Sequence, residues 1–182
     1  MKRLELSILS LTVSPSPDSY IVILRCKDND KRISMIIGSN EAQSIATAID
    51  SLPTPRPLTH DIFYNVLENF GIIIKEVTIY DIVNGVFHAE MKCEQAGKMQ
   101  RFDIRASDAI AMALRSKTPI FINEDVLNRD DLPFSSLQNG KYDFKLPQMF
   151  IDELHLAMKN AIKTENYEIA SLLRDFLKNV GE

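Results

Sequence analysis

The sequence predicts an α+β fold in which two βββα-type units form a mixed or antiparallel sheet with packed helices, followed by a C-terminal helical hairpin. Two groups of three strand-like segments each lead into a helix rich in small residues. These helices also match in sequence, since Ile-Ala-Thr-Ala-Ile-Asp-Ser at residues 45–51 aligns with Ile-Ala-Met-Ala-Leu-Arg-Ser at residues 110–116. We therefore predict an internal duplication.

The first unit has three segments with alternating hydrophobicity, and its strands are predicted at residues 3–13, 19–27 and 32–37. A helix then starts at Gly38-Ser39-Asn40, and the proline-rich residues 53–57 end it. An additional helix follows at residues 60–70, with Thr59 as its N-cap. Its apolar stripe consists of Ile62, Phe63, Val66, Leu67 and Phe70.

The second unit is built around a hairpin, because Asn84-Gly85 is a strong signal for a two-residue β-turn. Its strands are predicted at residues 72–82, 86–94 and 99–105, with a last short strand at 119–123. A helix is expected at residues 107–116, with Ser107 as the simplest N-cap. Small residues alternate with larger ones in this helix and in its counterpart, so both are expected to lie close against the sheet.

Composition limits the classes of function. The chain has 182 residues, 45% of them hydrophobic, and a net charge of −4. It lacks the basic surplus typical of nucleic-acid binders, so a role with DNA or RNA needs a local basic patch or metal ions. No apolar run approaches the roughly 20 residues of a membrane helix, and we expect a cytoplasmic protein. Cys26 and Cys93 lack metal-ligand spacing and are predicted to be buried free thiols.

Several ordered motifs resemble the bifunctional nuclease domain family. They are Arg-Pro-Leu-Thr-His-Asp at residues 56–61, Val-Phe-His-Ala at 86–89, Asp-Ile-Arg-Ala-Ser-Asp-Ala-Ile-Ala at 103–111, Pro-Ile at 119–120 and Glu-Asp-Val-Leu at 124–127. The family usually has a proline where this chain has Ala106, which affects the stiffness of the helix entry. The resemblance implies DNase and RNase activity, as reported for some plant members, and covers a domain at residues 1–130.

The C-terminal segment resembles a second motif. Ala161-Ile162, followed by Asn-Tyr-Glu-Ile-Ala-Ser-Leu-Leu-Arg-Asp at residues 166–175, looks like the UVR hairpin of excision-repair nuclease subunits. That resemblance implies a protein-interaction module at residues 148–182, joined to the first domain by a linker at 131–147. We therefore expect self-association or a protein partner through residues 148–182, with a homo-oligomer as the expected state.

Two charged junctions at the starts of helices supply the candidate site residues, because the first N–H groups of a helix have no partner within it. The predicted catalytic residues are His60, Asp61, Asp103, Arg105 and Asp108. Arg56, Thr59 and Ser107 are predicted to bind phosphate. Several of these residues have a structural alternative. Thr59 and Ser107 could be N-caps, and Asp61 and Asp108 could be favourable charges in a first helical turn. Arg56 could equally hold Asp61 or Asp108.

The roles follow from phosphodiester chemistry. His60 is proposed as the general base because its ordinary pKa lies near neutrality. Asp103 and Asp108 would bind Mg²⁺ or Mn²⁺ or orient other groups, and Arg56 and Arg105 would contact phosphate. Asp103 and Arg105 have no charged counterparts at the end of the strand at 32–37, so the charges are not part of the repeat.

Three hypotheses remain open at this stage. The first is a metal-dependent nuclease acting on DNA, RNA or both. The second is a non-catalytic adaptor or binding protein in which the charged junctions are a structural network. The third is a sensor of an anion or a small ligand at the helix N-termini.

Overall fold

The fold is a seven-stranded mixed sheet with helices, and the α+β prediction is confirmed. The computed structural model describes residues 2–14, 18–52, 54–129 and 148–180. The strands are β1 Arg3–Val13, β2 Ser19–Cys26, β3 Arg32–Gly38, β4 Ile72–Val83, β5 Val86–Gln95, β6 Lys98–Arg105 and β7 Ile120–Asn123. The helices are α1 Ser39–Ile49, α2 Thr59–Asn69, α3 Ala106–Ser116, α4 Glu124–Leu127, α5 Gln148–Lys163 and α6 Tyr167–Val180.

Strand β7 lies at the centre of the sheet, whose order is β3-β2-β1-β7-β4-β5-β6. It pairs antiparallel with β1 and parallel with β4, and this parallel pair makes the sheet mixed. The same order of elements, three antiparallel strands and then a helix, occurs on both sides of β7. The duplication that this order suggests stays a prediction.

The β4–β5 hairpin turns at Asn84 and Gly85, as predicted. Both residues have positive φ angles, 51° and 77°. A type I′ turn requires positive φ at both central residues, and asparagine and glycine tolerate that conformation best. The turn pairs Val83 with Val86 and so sets the register in which β5 starts along β4.

The main core lies between the sheet and the helices α1 and α3. Ile45 of α1 and Ile110 and Met112 of α3 are completely buried, and they pack with alternate residues of β1 and β2 such as Leu6 and Leu24. As the small residues of both helices predict, α1 lies against β2 and β3 and α3 lies against β4 and β5; the two helices also contact each other. The cysteine prediction is also confirmed, since Cys26 and Cys93 are free and buried.

The predicted N-caps are wrong by one or two residues. Helix α2 begins at Thr59 itself with Leu58 as its N-cap, and α3 begins at Ala106 with Arg105 as its N-cap. Leu58 has no side-chain acceptor for the first N–H groups of α2, but Asp61 at the third helical position reaches back, and its Oδ2 accepts the backbone N–H of Leu58 at 2.7 Å. The side-chain contact at this helix start thus comes from a carboxylate in the first turn and not from the hydroxyl of Thr59.

Helices α5 and α6 pack on each other in the C-terminal segment. Leu173 is fully buried there, and Ala157 and Ala170 are nearly so, whereas Leu156 and Leu172 are more than half exposed. The linker predicted at residues 131–147 lies outside the described residues. Within the described ranges, no helix combines the length and the apolar character needed to cross a membrane.

Candidate functional site

The two predicted charged junctions meet in space. The start of α2 and the β6–α3 junction lie beside the first turns of α1, and five side chains contact one another there. We call this group the junction cluster; it consists of Glu41, Ser44, His60, Arg105 and Asp108. The side chains of Glu41, His60 and Asp108 are each 16–18% exposed, so the cluster is shielded but not closed to solvent.

His60 is held at both ring nitrogens. Its Nδ1 lies 2.8 Å from Ser44 Oγ, and its Nε2 lies 3.0 Å from Asp108 Oδ1. An ionised carboxylate only accepts hydrogen bonds, so the Nε2 atom carries a proton. In the neutral imidazole, Nδ1 then accepts the hydroxyl proton of Ser44. Ser44 is only 2% exposed and the His60 side chain is 16% exposed, so this second contact is part-buried.

Arg105 is the exposed cation of the cluster. Its Nε and Nη2 atoms donate to the Oδ2 and Oδ1 atoms of Asp108 at 2.7 and 3.2 Å, and Nη2 lies 3.1 Å from Glu41 Oε1. The hydrogen bond and charge of Asp108, with a further contribution from Glu41, raise the pKa of Arg105. Its side chain is nevertheless 71% exposed, so it remains open to an anion from solvent.

Asp61 lies beside the cluster in a structural ion pair. Its Oδ1 accepts a hydrogen bond from Arg115 Nε at 2.7 Å, while its Oδ2 caps α2. The side chain of Arg115 is only 7% exposed and also donates to the carbonyl oxygens of Ser44 and Ala111. Arg115 therefore ties α2 to α1 and α3. Both carboxylate oxygens of Asp61 are engaged in this support, which favours its structural alternative.

Two surface depressions adjoin the cluster and share Glu41 and Arg105. One, of about 390 Å³, is lined by polar residues that include Ser44, Thr59 and His60. The other, of about 470 Å³, has a more apolar lining with Ser107 at its edge. Thr59 is exposed and Ser107 is 9% exposed, so of the two predicted phosphate-binding hydroxyls Thr59 is the more accessible.

Arg56 is exposed just before α2. Thr54 Oγ1 donates to its backbone carbonyl at 2.7 Å, which shapes the loop. Among the described residues, no acidic side chain forms an ion pair with the guanidinium of Arg56. The geometry thus leaves this side chain accessible from solvent, and its role in binding phosphate stays a prediction.

Asp103 belongs to a different group of side chains. It lies on β6 opposite Glu90, and its Oδ1 accepts a hydrogen bond from Tyr80 Oη at 3.2 Å. Burial, this hydrogen bond and the charge of Asp103 raise the pKa of Tyr80, whose ring also lies 6.1 Å from that of His88. The predicted joint action of Asp103 and Asp108 finds no support in these contacts, because the two carboxylates bind different partners.

The residues do not form a ready metal site. Within the described ranges, no three His, Cys, Asp or Glu side chains are grouped so that they could hold one ion. Arg105 neutralises Asp108 and Glu41, the two carboxylates of the junction cluster. Asp103, the other predicted ligand, contacts Tyr80 instead. We therefore assign no chemical step to a metal ion, and the need for Mg²⁺ or Mn²⁺ stays a prediction.

Sequence reasoning did not find Ser44 and Arg115 as partners of the site. Both lie on helix faces that read as ordinary packing surfaces, in the two helices that resemble each other. The sequence did contain a signal for Arg115. In the alignment of residues 45–51 with residues 110–116, Arg115 stands opposite Asp50, so a charge of the other sign replaces it in an otherwise similar helix. A buried arginine needs an acidic partner, and Asp61, which sequence reasoning assigned to catalysis, is that partner in the structure.

Comparison with known proteins assigns the family. The model of the bifunctional nuclease domain matches residues 22–135, which include the whole junction cluster. The chain belongs to the bifunctional nuclease domain family. An uncharacterized protein of Mycobacterium tuberculosis is 32% identical over 123 residues, covering 68% of this chain and 73% of the relative.

Plant members of the bifunctional nuclease family are more distant. Bifunctional nuclease 1 of Oryza sativa is 22% identical over 126 residues, which cover 67% of this chain and 38% of the plant protein. Bifunctional nuclease 2 of Arabidopsis thaliana is 23% identical over 135 residues, covering 72% of this chain and 40% of its own length. The chain therefore matches less than half of the length of each plant protein.

Proposed function

We propose that this chain hydrolyses phosphodiester bonds in DNA, RNA or both, with the junction cluster as its reactive centre. The observation that carries the proposal is Arg105, a 71% exposed guanidinium beside a histidine–carboxylate pair at a helix N-terminus. Its planar donor groups suit a phosphate, and the N-terminus of α3 adds a favourable dipole. Membership in a nuclease family agrees with this chemistry.

The proposed sequence of contacts begins with the phosphate. A phosphate oxygen pair competes with Asp108 and Glu41 for Arg105, and Arg56 supplies a second cation from the loop before α2. Release of Asp108 from Arg105 leaves its charge directed at the Nε2–H group of His60. For His60 to act as the general base, the lone pair of its Nδ1 atom must become free, so the substrate complex must displace the hydroxyl of Ser44 from Nδ1 while Asp108 keeps its contact with the Nε2–H group.

Metal dependence is the part of the proposal that assays must decide. A divalent ion bound with the substrate would activate water and neutralise charge on the phosphate. Mg²⁺ commonly uses only one or two carboxylates together with substrate phosphates. Asp103 and Asp108 were predicted for that purpose; since they contact different partners, we propose that either one would hold the ion singly, together with the substrate phosphate.

We also propose that the chain is organised as a nuclease domain at residues 1–130 and an interaction segment at 148–182. The resemblance of the second segment to a UVR hairpin and the exposed apolar residues Leu156 and Leu172 support a role in binding a protein partner or a second copy. A cytoplasmic location and a homo-oligomeric state are further parts of this proposal.

The decisive experiment incubates the full chain with labelled single- and double-stranded DNA and RNA, in Mg²⁺, in Mn²⁺ and in chelator. We expect cleavage by the unaltered protein and a loss of at least about 100-fold for His60→Ala and Arg105→Gln, the scale of one positioned catalytic group. The matched control is Arg25→Gln, since Arg25 is an exposed arginine on β2 that pairs with Asp30. Absence of cleavage under every condition, or full activity in both site variants, contradicts the proposal.

A second function is favoured by one specific observation. Both nitrogens of His60 and both oxygens of Asp108 are engaged within the protein, as in a structural network. A protein that uses Arg105 and Arg56 only to bind an anion would serve as an adaptor or sensor. Titration with a phosphorothioate oligonucleotide distinguishes the cases, because this alternative predicts binding that depends on Arg105 without any cleavage of the natural oligonucleotide.

A further inference from the structure

Helix α2 is oriented with its apolar face outward. Its inward side carries His60, Asp61 and Tyr64 together with Leu67. Of the residues of α2, all of which the structure describes, Leu67 is the one that is buried. Four large apolar side chains lie on the opposite side at 41–71% exposure. We call them the α2 patch; they are Ile62, Phe63, Val66 and the C-cap residue Phe70.

Polar contacts explain how this orientation is held. His60 bonds to Ser44 of α1 and to Asp108 of α3, while Asp61 pairs with Arg115 of α3. These bonds fix the first turn of α2 with its polar side toward the domain. The apolar residues that usually hold an amphipathic helix to a core are thereby left largely exposed to solvent.

We propose that the α2 patch is the contact surface between two copies of this chain, related by a two-fold axis that runs beside Val66. The patch exposes about 400 Å² of apolar surface, which is in the range of functional patches on soluble proteins. A standard interface buries about 800 Å² per partner, of which somewhat more than half is apolar. The α2 patch therefore supplies most of the apolar area that a small dimer needs.

The charges around the patch favour a second copy over a differently charged partner. The polar residues that border it on α2, Thr59, Asn65 and Asn69, carry no charge, so two identical faces meet without repulsion. With the two-fold axis perpendicular to α2, the two α2 helices run antiparallel, and their dipoles then attract. This surface is separate from residues 148–182, and the inference does not depend on nuclease activity.

The test measures the mass of the full chain by sedimentation velocity over a range of concentrations. We expect a dimer of the 20.7-kDa chain, and a monomer for the double variant Val66→Glu/Phe70→Glu. The matched control is Val86→Glu, because Val86 is an apolar residue of 61% exposure at the β4–β5 turn. Leu172→Glu, on the exposed side of α6, tests the competing surface in the C-terminal segment.

Cross-linking gives a second readout that does not require a disruptive charge. Val66→Cys should form a disulfide-linked dimer under mild oxidation, whereas Val86→Cys should not, and the native Cys26 and Cys93 are buried. A monomeric unaltered chain overturns the proposal. So does a dimer that survives Val66→Glu/Phe70→Glu but dissociates in Leu172→Glu, because that result places the contact in the C-terminal segment.

Discussion

Substitution by glutamine should mainly lower the stability of the fold at Arg115 and mainly weaken ligand binding at Arg105. The side chain of Arg115 is 7% exposed and makes an ion pair and two carbonyl hydrogen bonds, whereas that of Arg105 is 71% exposed. Removing one partner of a buried pair costs about 3–5 kcal/mol, and the value should fall near the lower limit because Asp61 is 31% exposed. Arg115→Gln should therefore lower the free energy of unfolding by about 3 kcal/mol.

That loss corresponds to a decrease in Tm of about 6–12 °C for a chain of this size. Arg105→Gln should lower Tm by only about 1–3 °C, because exposed ion pairs contribute little. It should instead weaken oligonucleotide binding, with a smaller dependence of affinity on salt. Differential scanning calorimetry and fluorescence anisotropy measure the two effects. A larger Tm loss for Arg105→Gln than for Arg115→Gln would refute the assignment of structural and ligand-binding roles.

Three further predictions concern individual side chains. Ser44→Ala should lower the free energy of unfolding by about 1–2 kcal/mol in a denaturant titration, since it removes the hydrogen bond between the buried Ser44 hydroxyl and His60. The control Ser7→Ala should have almost no effect in the same titration, because the Ser7 hydroxyl makes only a 3.4 Å contact at the surface. Burial acts to raise the pKa of Glu76, but Arg3 and Lys92 outweigh it and lower the pKa below its ordinary value of 4.5. The stabilisation from ionised Glu76 is thus present above that value and lost as the pH falls, so the Tm difference between the unaltered chain and Glu76→Gln should shrink in acid; a constant difference contradicts this explanation. Burial raises the pKa of Cys93, so iodoacetamide at neutral pH should label this thiol only after denaturation, as mass spectrometry would show.

The fold was largely predictable because its signals are local. Alternating hydrophobicity located the strands, and Asn84-Gly85 located the hairpin, since positive φ is easiest for these residue types. The N-caps were less predictable. A hydroxyl at Thr59 or Ser107 and a carboxylate at Asp61 can satisfy similar backbone groups, and only the positions of the helix starts determine which one does.

The site was predictable in part for a related reason. His60, Asp108 and Arg105 were found because they stand at charged helix starts, and the structure brings them together. Asp103 was assigned to the same group because it lies two residues from Arg105 on one strand, yet its partner is Tyr80, 23 positions away in the sequence. Contacts at that separation depend on strand register, which a single sequence specifies poorly.

The sequence by itself determined the α+β class, the order of the elements, the buried cysteines and the two charged junctions, because these follow from periodicity, turn chemistry and residue type. Only the tertiary structure decided that the junctions meet at one cluster, that Ser44 and Asp108 hold His60 from both sides, and that Arg115 anchors Asp61. It also decided which face of α2 is turned outward. The apolar stripe alone predicts burial against the core, but part-buried hydrogen bonds and an ion pair fix the first turn with its polar side inward, so Leu67 alone of the stripe is buried and its other four residues stay 41–71% exposed.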